Sequence, residues 1–265
     1  MKTIFITGAS TGLGKAAAQL FQSRGWNVIA TMRNPEAAGE LAALDNVTLL
    51  PLDVTNLEQI KSTVSKALEL GDVDVVFNNA GYGLIGPLEA LKDEQILKQL
   101  DTNLLGVIRV TQAFIPYFRE KKSGMFISTT SIGGLIAFPL GSTYHATKWA
   151  LEGWSESLAF ELNKFGIDIK TVSPGGIKTD FVSRSLDAAT SPEYEEMTNS
   201  LFSSMEGMME AASEPEQIAE VVYQAATDGK KQLRYVAGED AKALYAQRLE
   251  LGDEAFREQF GKQFI

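Results

Sequence analysis

An α/β fold, with a doubly wound parallel sheet of about seven strands and helices on both faces, is predicted by three observations. Short apolar, β-branched runs alternate along the chain with longer amphipathic ones, the pattern of βαβ units. A glycine-rich turn, Thr7-Gly8-Ala9-Ser10-Thr11-Gly12-Leu13-Gly14, falls where the first strand-like run passes into the first helical one, as in Rossmann-like sheets. The 265 residues, 45% hydrophobic, suffice for one large core but not for two ordinary domains. Residues 1–265 are therefore expected to form a single domain.

Strands are expected at 3–7, 27–31, 47–51, 73–77, 124–129, 167–173 and 233–236, where β-branched and aromatic residues cluster. Helices are expected between them near 13–24, 36–44, 56–70, 93–121, 142–165 and 214–228. Gly25, Gly71 and Gly166 are stop signals after the first, third and fifth helices. Asn34-Pro35-Glu36 supplies a cap, a first-turn proline and an acid matched to the helix dipole at the start of the second. Residues 181–213 read as the irregular part, and 237–265 as a C-terminal extension of one or two short helices.

Composition excludes several function classes. A formal charge of −10 repels phosphate backbones and anionic lipid, so neither nucleic acid nor a membrane surface is expected as a partner. With no cysteine and one histidine the chain has no thiol chemistry, and no catalytic metal is expected. The first strand pattern starts at Lys2 and no apolar run approaches spanning length, so the expected location is cytoplasmic.

The chemistry is concentrated around Tyr144. Tyr144 and Lys148, in Tyr144-His145-Ala146-Thr147-Lys148, share a helix face, where the ammonium is expected to lower the phenol pKa. Ser131, at the end of the run from Gly124, can hydrogen-bond the carbonyl oxygen that Tyr144 protonates. Ser128, Thr129 and Thr130 are competing hydroxyls nearby, whereas His145 lies off the Tyr144 face and receives no catalytic role. Gly8, Gly12 and Gly14 allow a backbone to approach a pyrophosphate at a helix N-terminus, with Ser10, Thr11 and Leu13 between them. Together these residues describe hydride transfer between a nicotinamide and a carbonyl or alcohol carbon.

The chain resembles the short-chain dehydrogenase/reductase family, in its compact single-domain form, from about residue 3 to about residue 236. The resemblance rests on Thr7 to Gly14, Asp53, Asn78-Asn79-Ala80-Gly81, Asn103, the Ser131/Tyr144/Lys148 set and Pro174-Gly175-Gly176-Ile177-Lys178-Thr179. It implies Tyr144 as general acid and base, Lys148 bonded to the nicotinamide ribose, and Asn103 holding a water behind the lysine. It also implies that Asp53, with Val54, meets the adenine, that Asn79, Ala80 and Gly81 lie against the ribose, and that Pro174, Gly175, Ile177 and Thr179 pass over the nicotinamide. A helix N-cap remains the alternative for Asp53, and backbone bonding the alternative for Asn103.

Family resemblance also makes residues 181–213 a substrate lid. Phe181, Met197, Leu201, Phe202, Met205, Met208 and Met209 lie there, four of them on one helical stripe from Met197. Phe138-Pro139 and Tyr82-Gly83-Leu84 are expected to face the same cavity. The lid has little positive charge besides Arg184, which favours an apolar ketone or aldehyde as the small-molecule substrate. Ala30 to Asn34 and Phe138 to Ser142 are similar to the retinol and 17β-hydroxysteroid dehydrogenase branch.

Cofactor choice is read at the end of the second strand. A site that selects NAD carries an acid there, whereas this chain has Thr31-Met32-Arg33-Asn34. Arg33, assisted by Ser10, can hold a 2′-phosphate, so NADP(H) is expected over NAD(H). Small residues on helices 93–121 and 142–165 suggest a homodimer or homotetramer. The alternative function is a sensor or scaffold that binds NADP on the same fold with weak catalysis.

Overall fold

The computed structural model describes residues 1–179 and 186–264, apart from the side chains of Glu206, Met208 and Glu210. Its strands are β1 Thr3–Thr7, β2 Asn27–Met32, β3 Val47–Pro51, β4 Val75–Asn78, β5 Gly83–Ile85, β6 Gly124–Thr129, β7 Ile167–Pro174, β8 Leu186–Ala188 and β9 Arg234–Ala237. Seven form one sheet in the order β3-β2-β1-β4-β6-β7-β9, and every pairing in it is parallel. The long helices are α1 Gly12–Ser23, α2 Leu57–Glu69, α3 Asp93–Leu100, α4 Gly106–Lys121, α5 Ser142–Leu162, α6 Glu195–Glu210, α7 Pro215–Thr227, α8 Glu239–Leu251 and α9 Asp253–Gly261.

The central strands are largely apolar because helices cover both faces of the sheet. All of β1 is buried, whereas the edge strand β3 is only partly so. On one face Ala16, Ala17, Ala18 and Phe21 of α1 pack with Ile218, Ala219 and Val222 of α7. On the other, Ile60 and Val64 of α2 meet Val110, Phe114 and Phe118 of α4 and Leu158 and Leu162 of α5. Phe5 and Phe114 meet edge to face, 5.0 Å between centroids, which ties α4 to the middle of the sheet.

Several expectations are corrected. Residues 36–44 form two 3-10 turns, Pro35–Ala37 and Gly39–Ala43, instead of an α-helix, because Gly39 enters the left-handed region at φ +57°. The Asn34 cap itself forms, its Oδ1 accepting from the Glu36 N–H at 3.2 Å. The helix expected at 93–121 is interrupted by a π-turn at Asp101–Leu105. Within the segment read as irregular, β8 pairs with β5 in a small parallel sheet and α6 is a regular helix. Phe181 and Arg184 lie outside the described residues, as does the side chain of Met208.

Candidate active site

The strand order reverses between β1 and β4, so the connections leave in opposite directions and a crevice opens at their carboxyl ends. The glycine turn and Asn78 to Gly81 meet there. Thr7 Oγ1 accepts from the backbone N–H groups of Asn79 and Ala80, both at 3.0 Å. Asn79 Nδ2 donates to the carbonyls of Thr7 and Gly8, both at 3.2 Å. The Asn79 side chain thus braces the turn, and Thr7 is its partner, a role that sequence reasoning missed.

Two glycines are required by this packing. Gly8 has φ +69°, and a Cβ there would lie 2.9 Å from Ala80 Cα. A Cβ on Gly14 would lie 2.2 Å from the Gly8 carbonyl oxygen. Thr11, the N-cap of α1, makes no side-chain capping bond, so the first N–H groups of the helix are left without a side-chain cap. Leu13 turns its side chain into the core and presents only backbone to the crevice.

The other cofactor candidates surround this cradle. Arg33 follows β2 directly and is exposed, with no ion pair among the described residues. Asp53 Oδ1 accepts from the Thr55 N–H at 3.0 Å and its hydroxyl at 2.7 Å, while Asn56 is the N-cap of α2. Asp53 therefore braces a turn and is not the helix cap, and Val54 beside it is buried. The loop after β7 crosses above the glycine turn, since a Cβ on Gly12 would lie 3.3 Å from Thr179 Cγ2. That loop is held from several sides: Gly175 N–H donates to Ala237 O at 3.1 Å, Lys178 N–H to Ser213 O at 2.9 Å, and Gly176 N–H to Asp240 Oδ2 at 2.8 Å.

The predicted catalytic residues converge at the end of β6. The Ser131 hydroxyl accepts from the Gly133 N–H at 3.0 Å and stands near enough to the Tyr144 phenol to favour its ionised form. The competing hydroxyls point elsewhere: Thr130 to Glu152 at 2.6 Å, and Thr129 to Asn79 at 3.4 Å. Lys148 Nζ donates to Thr129 O at 2.9 Å and lies 5.7 Å from the centroid of the Tyr144 ring. Burial lowers the Lys148 pKa to about 8, against an opposing pull from Glu152. The Tyr144 phenol is raised rather than lowered: burial dominates, and the neighbouring Ser131 hydroxyl works against it. In this geometry the lysine charge is spent on the Thr129 carbonyl and not on the phenol.

Asn103 lies in the π-turn, where its Oδ1 accepts from the Tyr82 N–H at 3.0 Å and its Nδ2 donates to Tyr82 O at 2.8 Å. Both ends of its side chain bond the Tyr82 backbone, as in the alternative that the sequence left open. Tyr82 itself packs towards α3, with Lys98 Nζ 5.2 Å from its ring centroid. A third apolar cluster lies beside the segment that follows Ser131. There Ile85, Ile132, Leu135 and Ile136 meet Leu201 of α6, Ala241 of α8, Phe256 and Phe260 of α9, and Phe264, with Phe138 and Met205 packed against them. The C-terminal extension thus covers the segment that follows Ser131.

His145 secures that segment from below. Its Nδ1 is 2.7 Å from Gly133 O and its Nε2 accepts from the Phe138 N–H at 3.2 Å, which fixes a neutral imidazole protonated on Nδ1. Burial lowers its pKa below 6.5, so the native state resists a proton that the unfolded chain accepts. Stability should accordingly fall as pH drops below about 6.5, by at most about 1.4 kcal/mol per pH unit from this group. Urea unfolding at pH 7.5 and 5.5 measures it; wild type should lose more than His145→Gln, and equal losses would remove the assignment.

Known proteins resemble this chain in sequence and fold. Residues 2–189 match the family model described as short chain dehydrogenase. Human 17-beta-hydroxysteroid dehydrogenase type 1 is 34% identical over 265 residues, covering 93% of this chain and 80% of its own. The crystal structure of a short-chain dehydrogenase from Streptomyces avermitilis superposes with a TM-score of 0.86 at 33% identity, covering 94% of this chain and 92% of its own. The structure of ElxO with NADP bound superposes with a TM-score of 0.76 at 27% identity, over 91% of this chain and 99% of ElxO. With a matching model over most of its length and the parallel sheet in common, the chain belongs to the short-chain dehydrogenase family of oxidoreductases.

Proposed function

We propose that this protein is an NADP(H)-dependent oxidoreductase that interconverts a carbonyl compound, an apolar ketone or aldehyde, and the corresponding alcohol, with the whole chain acting as one catalytic unit. The observation that carries the reading is the convergence of Ser131, Tyr144 and Lys148 at the mouth of the glycine crevice: the Ser131 hydroxyl favours the ionised Tyr144 phenol, and Lys148 Nζ lies 5.7 Å from the phenol ring centroid. The crevice fits a dinucleotide: its turn leaves no room for a Cβ at Gly14, and its helix N-terminus carries uncapped N–H groups. When bound, the nicotinamide supplies the hydride in reduction and receives it in oxidation.

Ser131 orients the substrate oxygen, and Tyr144 gives its phenolic proton to that oxygen in reduction or takes it back in oxidation. A phenol held above its ordinary pKa stays protonated at neutral pH, which suits the reducing direction. Helix α6 and the helices after residue 237 supply the apolar side of the site, in keeping with an apolar substrate. Following NADPH absorbance across a panel of ketones and aldehydes tests the proposal; no turnover of any carbonyl, and none of the matching alcohols with NADP+, would sink it.

Arg33 carries the choice of cofactor in this reading. It stands at the end of β2 where an acid would select NAD, and its exposed guanidinium offers a fork of donors to a 2′-phosphate. The expected preference for NADPH over NADH is at least about tenfold in kcat/KM, or about 1.4 kcal/mol. Arg33→Asp should erase or reverse that preference, and an unchanged ratio would withdraw the role of Arg33.

A further inference from the structure

Helix α5 extends the catalytic face by one more turn. Glu152 follows Lys148 at the same spacing by which Lys148 follows Tyr144, so the three side chains share one stripe. The stripe docks on the consecutive residues Thr129, Thr130 and Ser131. Thr129 O takes the Lys148 ammonium, the Thr130 hydroxyl goes to Glu152, and the Ser131 hydroxyl stands beside the Tyr144 phenol. Gly134 keeps the approach close, since a Cβ there would lie 2.8 Å from Lys148 O and 3.3 Å from Glu152 Cγ.

Glu152 is 4% exposed, yet both its oxygens are fully used. Oε1 accepts from Thr130 Oγ1 at 2.6 Å and Ser173 Oγ at 2.9 Å. Oε2 accepts from Thr171 Oγ1 at 3.3 Å and Arg234 Nε at 2.8 Å. Burying a carboxylate is costly unless it is paired and hydrogen-bonded, and an apolar residue would serve plain packing between α5 and β7 equally well. A charge kept here, one turn from the buried Lys148, has an electrostatic use.

We propose that Glu152 is a positioning residue of the catalytic site, which clamps the Thr129-Thr130-Ser131 segment onto α5 and holds the buried Lys148 in its charged form, with Arg234 setting how much of the carboxylate's field reaches the lysine. The clause about catalysis rests on the function proposed above; the electrostatic coupling does not. Around Lys148, α5 contributes Tyr144 and Glu152, β9 contributes Arg234, and α8 contributes Tyr245 beside Arg234. The strands β6 and β7 offer Glu152 only hydroxyls, from Thr130 just beyond β6 and from Thr171 and Ser173 in β7. Burial sets the Lys148 pKa to about 8 and Glu152 works against that shift. Removing the carboxylate therefore lowers the lysine pKa, and removing the guanidinium that partly neutralises the carboxylate raises it.

The test is an NMR titration of the full chain with 13Cε-labelled lysine, without cofactor, in wild type, Glu152→Gln and Arg234→Gln; the Lys148 resonance is assigned by its loss in Lys148→Met. The expected result is a midpoint lowered by about one unit in Glu152→Gln and a smaller shift upwards in Arg234→Gln. Structural damage alone would not drive the two variants in opposite directions. Shifts of the same sign, or no shift in either, would overturn the proposal. If Glu152→Gln does not fold, the upward shift in Arg234→Gln decides alone, and its absence is negative. Where the wild type turns over a carbonyl, the alkaline limb of kcat in reduction should move to lower pH in Glu152→Gln. A wild type with no such activity would defeat the function proposed above and leave the titration as it stands.

Discussion

Tyr144→Phe is expected to lower kcat in both directions by about 10³-fold or more, within the range that a positioned general acid and base supplies, while cofactor affinity stays within a small factor of wild type. The ring is retained, so packing against His145, 5.9 Å between centroids, survives, and only the hydroxyl beside Ser131 is lost. An interaction used only in the transition state lowers kcat and kcat/KM together, so KM should hold. Single-turnover reduction and a fluorescence titration of NADPH measure the two sides of the claim. A variant that keeps more than a few per cent of wild-type turnover would remove Tyr144 from the acid role, and a large loss of NADPH affinity would show that the tyrosine acts on binding.

How legible this site was follows from the range of each interaction. The strands at 3–7, 47–51 and 124–129 could be delimited because short runs rich in apolar, β-branched and aromatic residues stand out between longer amphipathic ones. Tyr144, Lys148 and Ser131 stood out because helix periodicity and a strand end are local properties. The pairing of β5 with β8 joins residues more than a hundred positions apart through three-residue strands, too short to show alternation. The π-turn that shapes the Asn103 region depends on contacts with Tyr82, not on the composition of Asp101 to Leu105. Glu152 carried a local signal, the spacing shared with Tyr144 and Lys148, but its partner Arg234 lies 82 residues away, and no sequence pattern links them. Asp240 is similar: only the folded chain brings it to the Gly176 N–H.

Ser131→Ala should reduce kcat by about two to three orders of magnitude if its hydroxyl acts on the substrate oxygen as an oxyanion donor does. Two effects have to be separated, because Ser131 also caps the 3-10 turn Ile132–Gly134 through the Gly133 N–H. Loss of a cap costs about 1 kcal/mol of stability, which lowers Tm without changing the rate per folded molecule. The catalytic loss should therefore persist when kcat is measured well below Tm, and Ser131→Thr, which keeps a hydroxyl, should recover more activity than Ser131→Ala. No neighbouring hydroxyl can take over without giving up a partner, since Thr130 is bound to Glu152 and Thr129 to Asn79, while Ser128 is buried within β6. Wild-type kcat in Ser131→Ala would mean that the substrate oxygen is oriented by Tyr144 alone, and the Ser131 hydroxyl would then be left with the turn it caps.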